Sequence, residues 1–102
     1  MLASFYALCC LTASGLLITW SHGNPRIVAV RADSGLFRQD VCVTFPKGSK
    51  YNYHAIDICP DFDPKTGEGC RKNQVDILVN SREKARRLGV MKIQLDKGEC
   101  KW

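Results

Sequence analysis

Residues 2–20 carry no charged side chain, whereas all 15 Lys/Arg and all 10 Asp/Glu lie from Arg26 onward. That asymmetry constrains the fold most, because it decides how much of the 102-residue chain is left for a core. An apolar run followed by small residues at the −3 and −1 positions, here Ser21 and Gly23 of Ser21-His22-Gly23, has the form of an export signal cleaved after Gly23. A membrane anchor is the competing reading, since about 20 apolar residues span a bilayer. Ser4, Thr12, Ser14, Gly15 and Thr19 dilute this run. The expectation is a signal peptide over 1–23 and one secreted, extracellular domain over 24–102, with no stable membrane insertion after cleavage. A domain that short excludes barrels of alternating strands and helices and full dinucleotide-binding folds.

Cys9 and Cys10 would leave with the signal, so the mature domain keeps Cys42, Cys59, Cys70 and Cys100. An even number in a small exported domain reads as two structural disulfides, because export permits them and a small core needs them. Zinc is the rival, but its ligands usually come as close C-x₂₋₄-C pairs, which these spacings lack. No metal and no cofactor is expected. Four cysteines allow three pairings, and the spacing alone does not choose among them.

The mature chain shows no repeat or linker. Arg26–Arg31 and Val41–Phe45 are β-branched runs closed by Asp33-Ser34-Gly35 and Pro46-Lys47-Gly48, hence strands followed by turns. Tyr51–Ile58 alternates as a third strand, residues 59–73 read as an exposed loop, and Gln74–Val79 as a fourth strand. Asn80 followed by Glu83 has the form of a helix cap, Ala85 and Leu88 supply an apolar side, and Gly89 stops the helix. Val90–Leu95 returns to strand, with Met91, Ile93 and Leu95 on one face.

The run Ala55-Ile-Asp-Ile-Cys-Pro60, Cys70, Gln74-Val-Asp-Ile-Leu78, a helix over 81–88, Gly89, the strand Met91–Leu95 and Cys100-Lys-Trp102 resembles expansin domain-one modules. Barwin, the plant natriuretic-peptide-like proteins and rare lipoprotein A share that fold. The resemblance covers roughly residues 41–102. It implies a mainly β fold, a small six-stranded double-psi β-barrel with one short helix and bridges Cys42–Cys100 and Cys59–Cys70. The Gly- and Cys-rich opening of expansins has no counterpart between Asn24 and Asp40. The alternative fold is the two-sheet β-sandwich of small fungal effectors, which has no need of the helix.

Asp76 stands where the related family-45 endoglucanases carry a general acid, so the resemblance makes it the candidate catalytic residue. Inversion needs a second carboxyl with room for water between the two. Asp33 and Asp40 lie in the unmatched segment and sit in no matching motif. The plainer role for Asp76 is a hydrogen bond to backbone or to Arg71 or Lys72. Asp57 either lines the groove or caps loop amides. Tyr51, Tyr53, Phe62 and Trp102 could stack on sugar rings, although alternate tyrosines on a strand also serve packing. Arg82 and Arg86, with Lys84 and Arg87, give the helix a basic face that is either solvated or attracts an acidic partner. Residues 61–68 lack the acidic and glycine positions of a calcium loop, and His54 lacks a nucleophile partner.

These residues point to a secreted, non-catalytic binding protein, a monomer, acting at a host surface or cell wall as a microbial effector of virulence. Its partner would be a cell-wall polysaccharide or a host protein. Nucleic acid is not expected, since the basic residues lack interleaved aromatics. The alternative is a wall-loosening or polysaccharide-cleaving protein using Asp76.

Overall fold

A computed structural model of the chain describes residues 1–7, 26–79 and 81–101. The elements in chain order are β1 (Leu2–Tyr6), β2 (Ile27–Val30), β3 (Gln39–Thr44), β4 (Lys50–Ile58), β5 (Gln74–Leu78), α1 (Arg82–Leu88), β6 (Met91–Lys92) and β7 (Gln94–Lys97). They form one seven-stranded sheet in the order β6-β1-β5-β2-β4-β3-β7. Two of its pairs, β1 with β5 and β2 with β4, are parallel. The others are antiparallel. Among the described residues the fold is thus mainly β, with one short helix and two disulfides, and the sheet is not closed by hydrogen bonds.

Period-2 alternation explains the core. Val28 and Val30, Val41 and Val43, Val75 and Ile77 stand at i, i+2 and turn to one face, where they pack with Ala3, Leu36, Ala55 and Ile93. Phe5, Phe37, Phe45, Tyr53, Met91 and Leu95 close around them. Strand β2 is buried at all four positions, because its other face is also covered, by Tyr6, Ile56 and Leu78 over Ile27.

The edge strands β6 and β7 are consecutive in the chain and separated only by Ile93. The Ile93 amide donates to the Met1 carbonyl at 2.8 Å, and the Met1 amino group donates to the Ile93 carbonyl at 3.3 Å. One stretch therefore serves both edges, pairing first with β1 and then with β3. The sequence predicts a single strand over 90–95. The chain instead changes partner at Ile93 and stays extended to Lys97, while Met91, Ile93 and Leu95 keep the common core face expected of them.

Cys42–Cys100 and Cys59–Cys70 are bonded, spanning 58 and 11 residues, which is the pairing the resemblance implies. Two bridges in a chain this small fit an oxidising, extracellular setting. The helix begins one residue later than Asn80 suggests. Ser81 is the N-cap, its hydroxyl accepting from the Lys84 amide at 3.1 Å, and Gly89 ends the helix at φ 63°. Asn80 lies outside the described residues.

Leu2–Tyr6, within the segment read above as the start of an export leader, form a strand whose Ala3 is wholly buried. The remainder of that leader, with Cys9, Cys10 and the cleavage motif, lies outside the described residues. No helix among the described residues is long and apolar enough to cross a membrane.

A carboxylate row and its cleft

On the sheet face opposite the main core, one row crosses four strands. Ser4 of β1 stands beside Asp76 of β5, Asp76 beside Ala29 of β2, and Ala29 beside Asp57 of β4. Neighbouring strands lie about 4.8 Å apart, so the two aspartate backbones are about 10 Å apart across Ala29. Parity along β4 would give Asp57 the same face as Ala55, which belongs to the core. A register shift between β2 and β4 falls at this point, and such an irregularity re-aims the side chains beyond it. Asp57 thereby meets Tyr6, which packs against Ala29, Cys59 and Cys70.

Each carboxylate is held from β1. The Tyr6 hydroxyl donates to Asp57 Oδ2 at 2.6 Å, and the Ile58 amide donates to Asp57 Oδ1 at 3.0 Å. Gln74 Nε2 donates to Ser4 Oγ at 2.9 Å, and Ser4 Oγ donates to Asp76 Oδ1 at 2.9 Å. Burial, helped by the Asp57 hydrogen bond and the two negative charges, pushes the Tyr6 phenol well above its ordinary range, so it stays a donor. Burial also raises Asp76 above the usual carboxylate value; the Ser4 hydrogen bond opposes this and the Asp57 charge adds to it.

Asp76 opens into a cleft of about 560 Å³, lined also by Ser4, Phe5, Phe62, Glu68, Arg71, Gln74 and Val90. The loop after β4 forms one wall. Cys59–Cys70 cross-links it, and bridges Asp61 to Cys70 and Asp63 to Glu68 give it a ladder. Arg31 ties it down, donating to the Cys70 carbonyl at 2.8 Å and pairing with Asp61 at 2.9 Å and Asp33 at 2.9 Å. The Arg71 guanidinium lies 4.3 Å from the Phe62 ring centre, so this wall presents a flat face with a fixed cation. Gly69 sits at φ 90°, and a side chain there would collide with the Asp61 carbonyl.

The other sequence candidates lie elsewhere. Tyr51 and Tyr53 line a separate groove of about 420 Å³ with Phe45, Arg26, Lys84 and Met91. Arg26 stacks 4.1 Å over the Tyr51 ring, and Tyr53 packs on the core. Arg82 and Arg86 are exposed on α1, and Trp102 lies outside the described residues. His54 Nδ1 and Asp40 Oδ1 are 2.6 Å apart at the exposed β3–β4 surface, which places Asp40 away from Asp76. Asp33 is engaged by Arg31. Asp76 takes its hydrogen bond from Ser4 rather than from Arg71 or Lys72. No group of three or more metal-ligating side chains occurs among the described residues.

Ser4, Tyr6, Gln74 and Glu68 were missed by sequence reasoning. The i, i+2 placement of two polar side chains in an apolar run was the available signal for Ser4 and Tyr6. No protein-family model matches the chain, and neither does any curated protein.

Proposed function

We propose that the chain is a secreted binding protein that holds a cell-wall polysaccharide in the Asp76 cleft, without cleaving it. The observation that carries this reading is the composition of the cleft. Phe5, Phe62 and Val90 offer apolar faces beside hydrogen-bonding groups on Ser4, Glu68, Arg71, Gln74 and Asp76. Sugar rings have the same character, with apolar faces and hydroxyl edges, so this alternation suits them. A microbial effector acting at a host surface is the setting this format fits, and a host protein is the competing partner.

The fold expected for such a protein is the double-psi β-barrel. Support for it comes from the two parallel pairs, from edge strands joined through Ile93, and from a core that draws on the strands from one edge to the other. The β-sandwich alternative has no use for α1.

Cleavage is the second reading, and one observation favours it: burial raises Asp76, as a general acid requires. Pull-down on insoluble cellulose, chitin and pectin, with assay of released reducing sugar, tests both readings. Binding that Asp76→Asn weakens, with no sugar released, supports the binding protein. Sugar release abolished by Asp76→Asn would replace it with the enzyme, and no retention on any polymer would leave the host protein as partner.

A further inference from the structure

The apolar N-terminal run has two incompatible uses, because a chain cut after Gly23 no longer contains β1. We propose that Leu2–Tyr6 is a permanent strand of the working protein, so that the secreted chain keeps its N-terminal run uncut, and that Ser4 on it is the positioning residue for the Asp76 carboxylate.

The backbone carries the first half of the inference. Strand β1 lies between β5 and β6, with all five residues in parallel register against Gln74–Leu78. Bonds flank it at both ends: the Leu2 amide donates to the Asn73 carbonyl, and the Val79 amide donates to the Tyr6 carbonyl, each at 2.8 Å. Removing β1 would bare one edge of β5 and take away the strand that, among the described residues, pairs with β6. Ala3 would vacate the core, where it has no exposure.

The side chains carry the argument further. An export signal asks only for apolarity in this stretch. Here the two polar side chains that interrupt it, Ser4 and Tyr6, share one face and each meets a carboxylate. Gln74 donates to the Ser4 oxygen, and the Ser4 proton goes to Asp76 Oδ1 at 2.9 Å in preference to the Val75 carbonyl at 3.4 Å. Asp57 is 6% exposed and accepts the hydrogen bond from the Tyr6 hydroxyl. A segment destined for removal has no physical reason to satisfy groups on two other strands.

The role of Ser4 rests on the cleft reading above, whereas the retention of β1 does not. The test uses the oxidised full chain, labelled for NMR. The amides of Ser4 and Tyr6, which face β5, are expected to exchange within about tenfold of those of Val75 and Ile77, as one cooperative unit would. Free-peptide rates there beside a protected β5 would overturn the strand.

In Ser4→Ala, the carboxyl ¹³C titration of Asp76 is expected to shift upward, because the lost hydrogen bond favours the ionised form. Ser4→Thr is expected to restore it. Tyr6 on β1, Asp57 on β4, and Glu68 and Arg71 on the loop wall remain in both variants, so the Ser4 hydroxyl is the variable. An unmoved midpoint would remove the positioning role while leaving the strand. Failure of polysaccharide pull-down with both NMR results intact would count against the binding reading alone.

Discussion

Replacing Tyr6 by Phe deletes one oxygen and leaves the ring on Ala29, Cys59 and Cys70. What is lost is the 2.6 Å donation to Asp57 Oδ2. Asp57 is almost wholly buried, so its carboxylate cannot recover that bond from bulk water. Hydrogen bonds to charged groups contribute about 1.5–3 kcal/mol net, and about 2 kcal/mol is the central expectation here. For a domain of this size, each kcal/mol moves the melting midpoint by about 4–8 °C. Tyr6→Phe is therefore expected to lower Tm by about 10 °C at pH 7, read by circular dichroism on the oxidised protein. Tyr51→Phe, in the other groove, is the control. The pH dependence has a definite sign. A phenol whose folded-state value is raised above its ordinary 10.0 adds stability that is complete below that value and lost as pH rises further. The native protein should weaken above about pH 10, and Tyr6→Phe should weaken less steeply. A Tm within about 2 °C of native at pH 7 would refute the reasoning, since it would mean that the Tyr6 hydroxyl does not hold the Asp57 carboxylate as described.

Asp76→Asn should raise Tm at neutral pH while lowering retention on polysaccharide. The sign follows from its raised folded-state value: Asp76 favours the fold below the usual carboxylate range and loses that contribution as pH rises, so a neutral amide removes the penalty at pH 7. Loop-closure entropy gives the 58-residue Cys42–Cys100 bridge about 4 kcal/mol and the 11-residue Cys59–Cys70 bridge about 3 kcal/mol. Double Ser variants should show that order in urea unfolding, and only Cys59→Ser/Cys70→Ser should also impair binding, because it frees the cleft wall. Gly69→Ala should cost about 1–3 kcal/mol through its positive φ and the Asp61 carbonyl, measured by the same unfolding. Ser81→Ala should cost about 1 kcal/mol through the lost cap.

Legibility followed the range of the interaction. Strands β2 to β5 could be read because Val28/Val30, Val41/Val43 and Val75/Ile77 alternate within each segment, and the helix because its cap, apolar side and terminal glycine all lie within ten residues. Strand β1 could not be separated from a leader, since Leu2–Tyr6 offers the same apolarity to a membrane and to a sheet. The break at Ile93 was hidden because Met91, Ile93 and Leu95 keep one face even where the chain changes partner.

The candidate site divides in the same way. The sequence named Asp57, Asp76 and Phe62 but had no means of knowing that both aspartates flank Ala29, since that adjacency depends on a register shift between strands more than 20 residues apart. It grouped Tyr51 and Tyr53 with Asp76, whereas the sheet sends them to a different groove.

By itself the sequence determined a small, mainly β, disulfide-linked domain with one late helix, because periodicity, turn chemistry and cysteine number are local or compositional properties. Only the tertiary structure decided that the uncharged N-terminal run supplies a strand, and that its Ser4 and Tyr6 hold the two carboxylates. Those are pairings between distant segments, in which a hydroxyl acquires its role from the partner placed beside it.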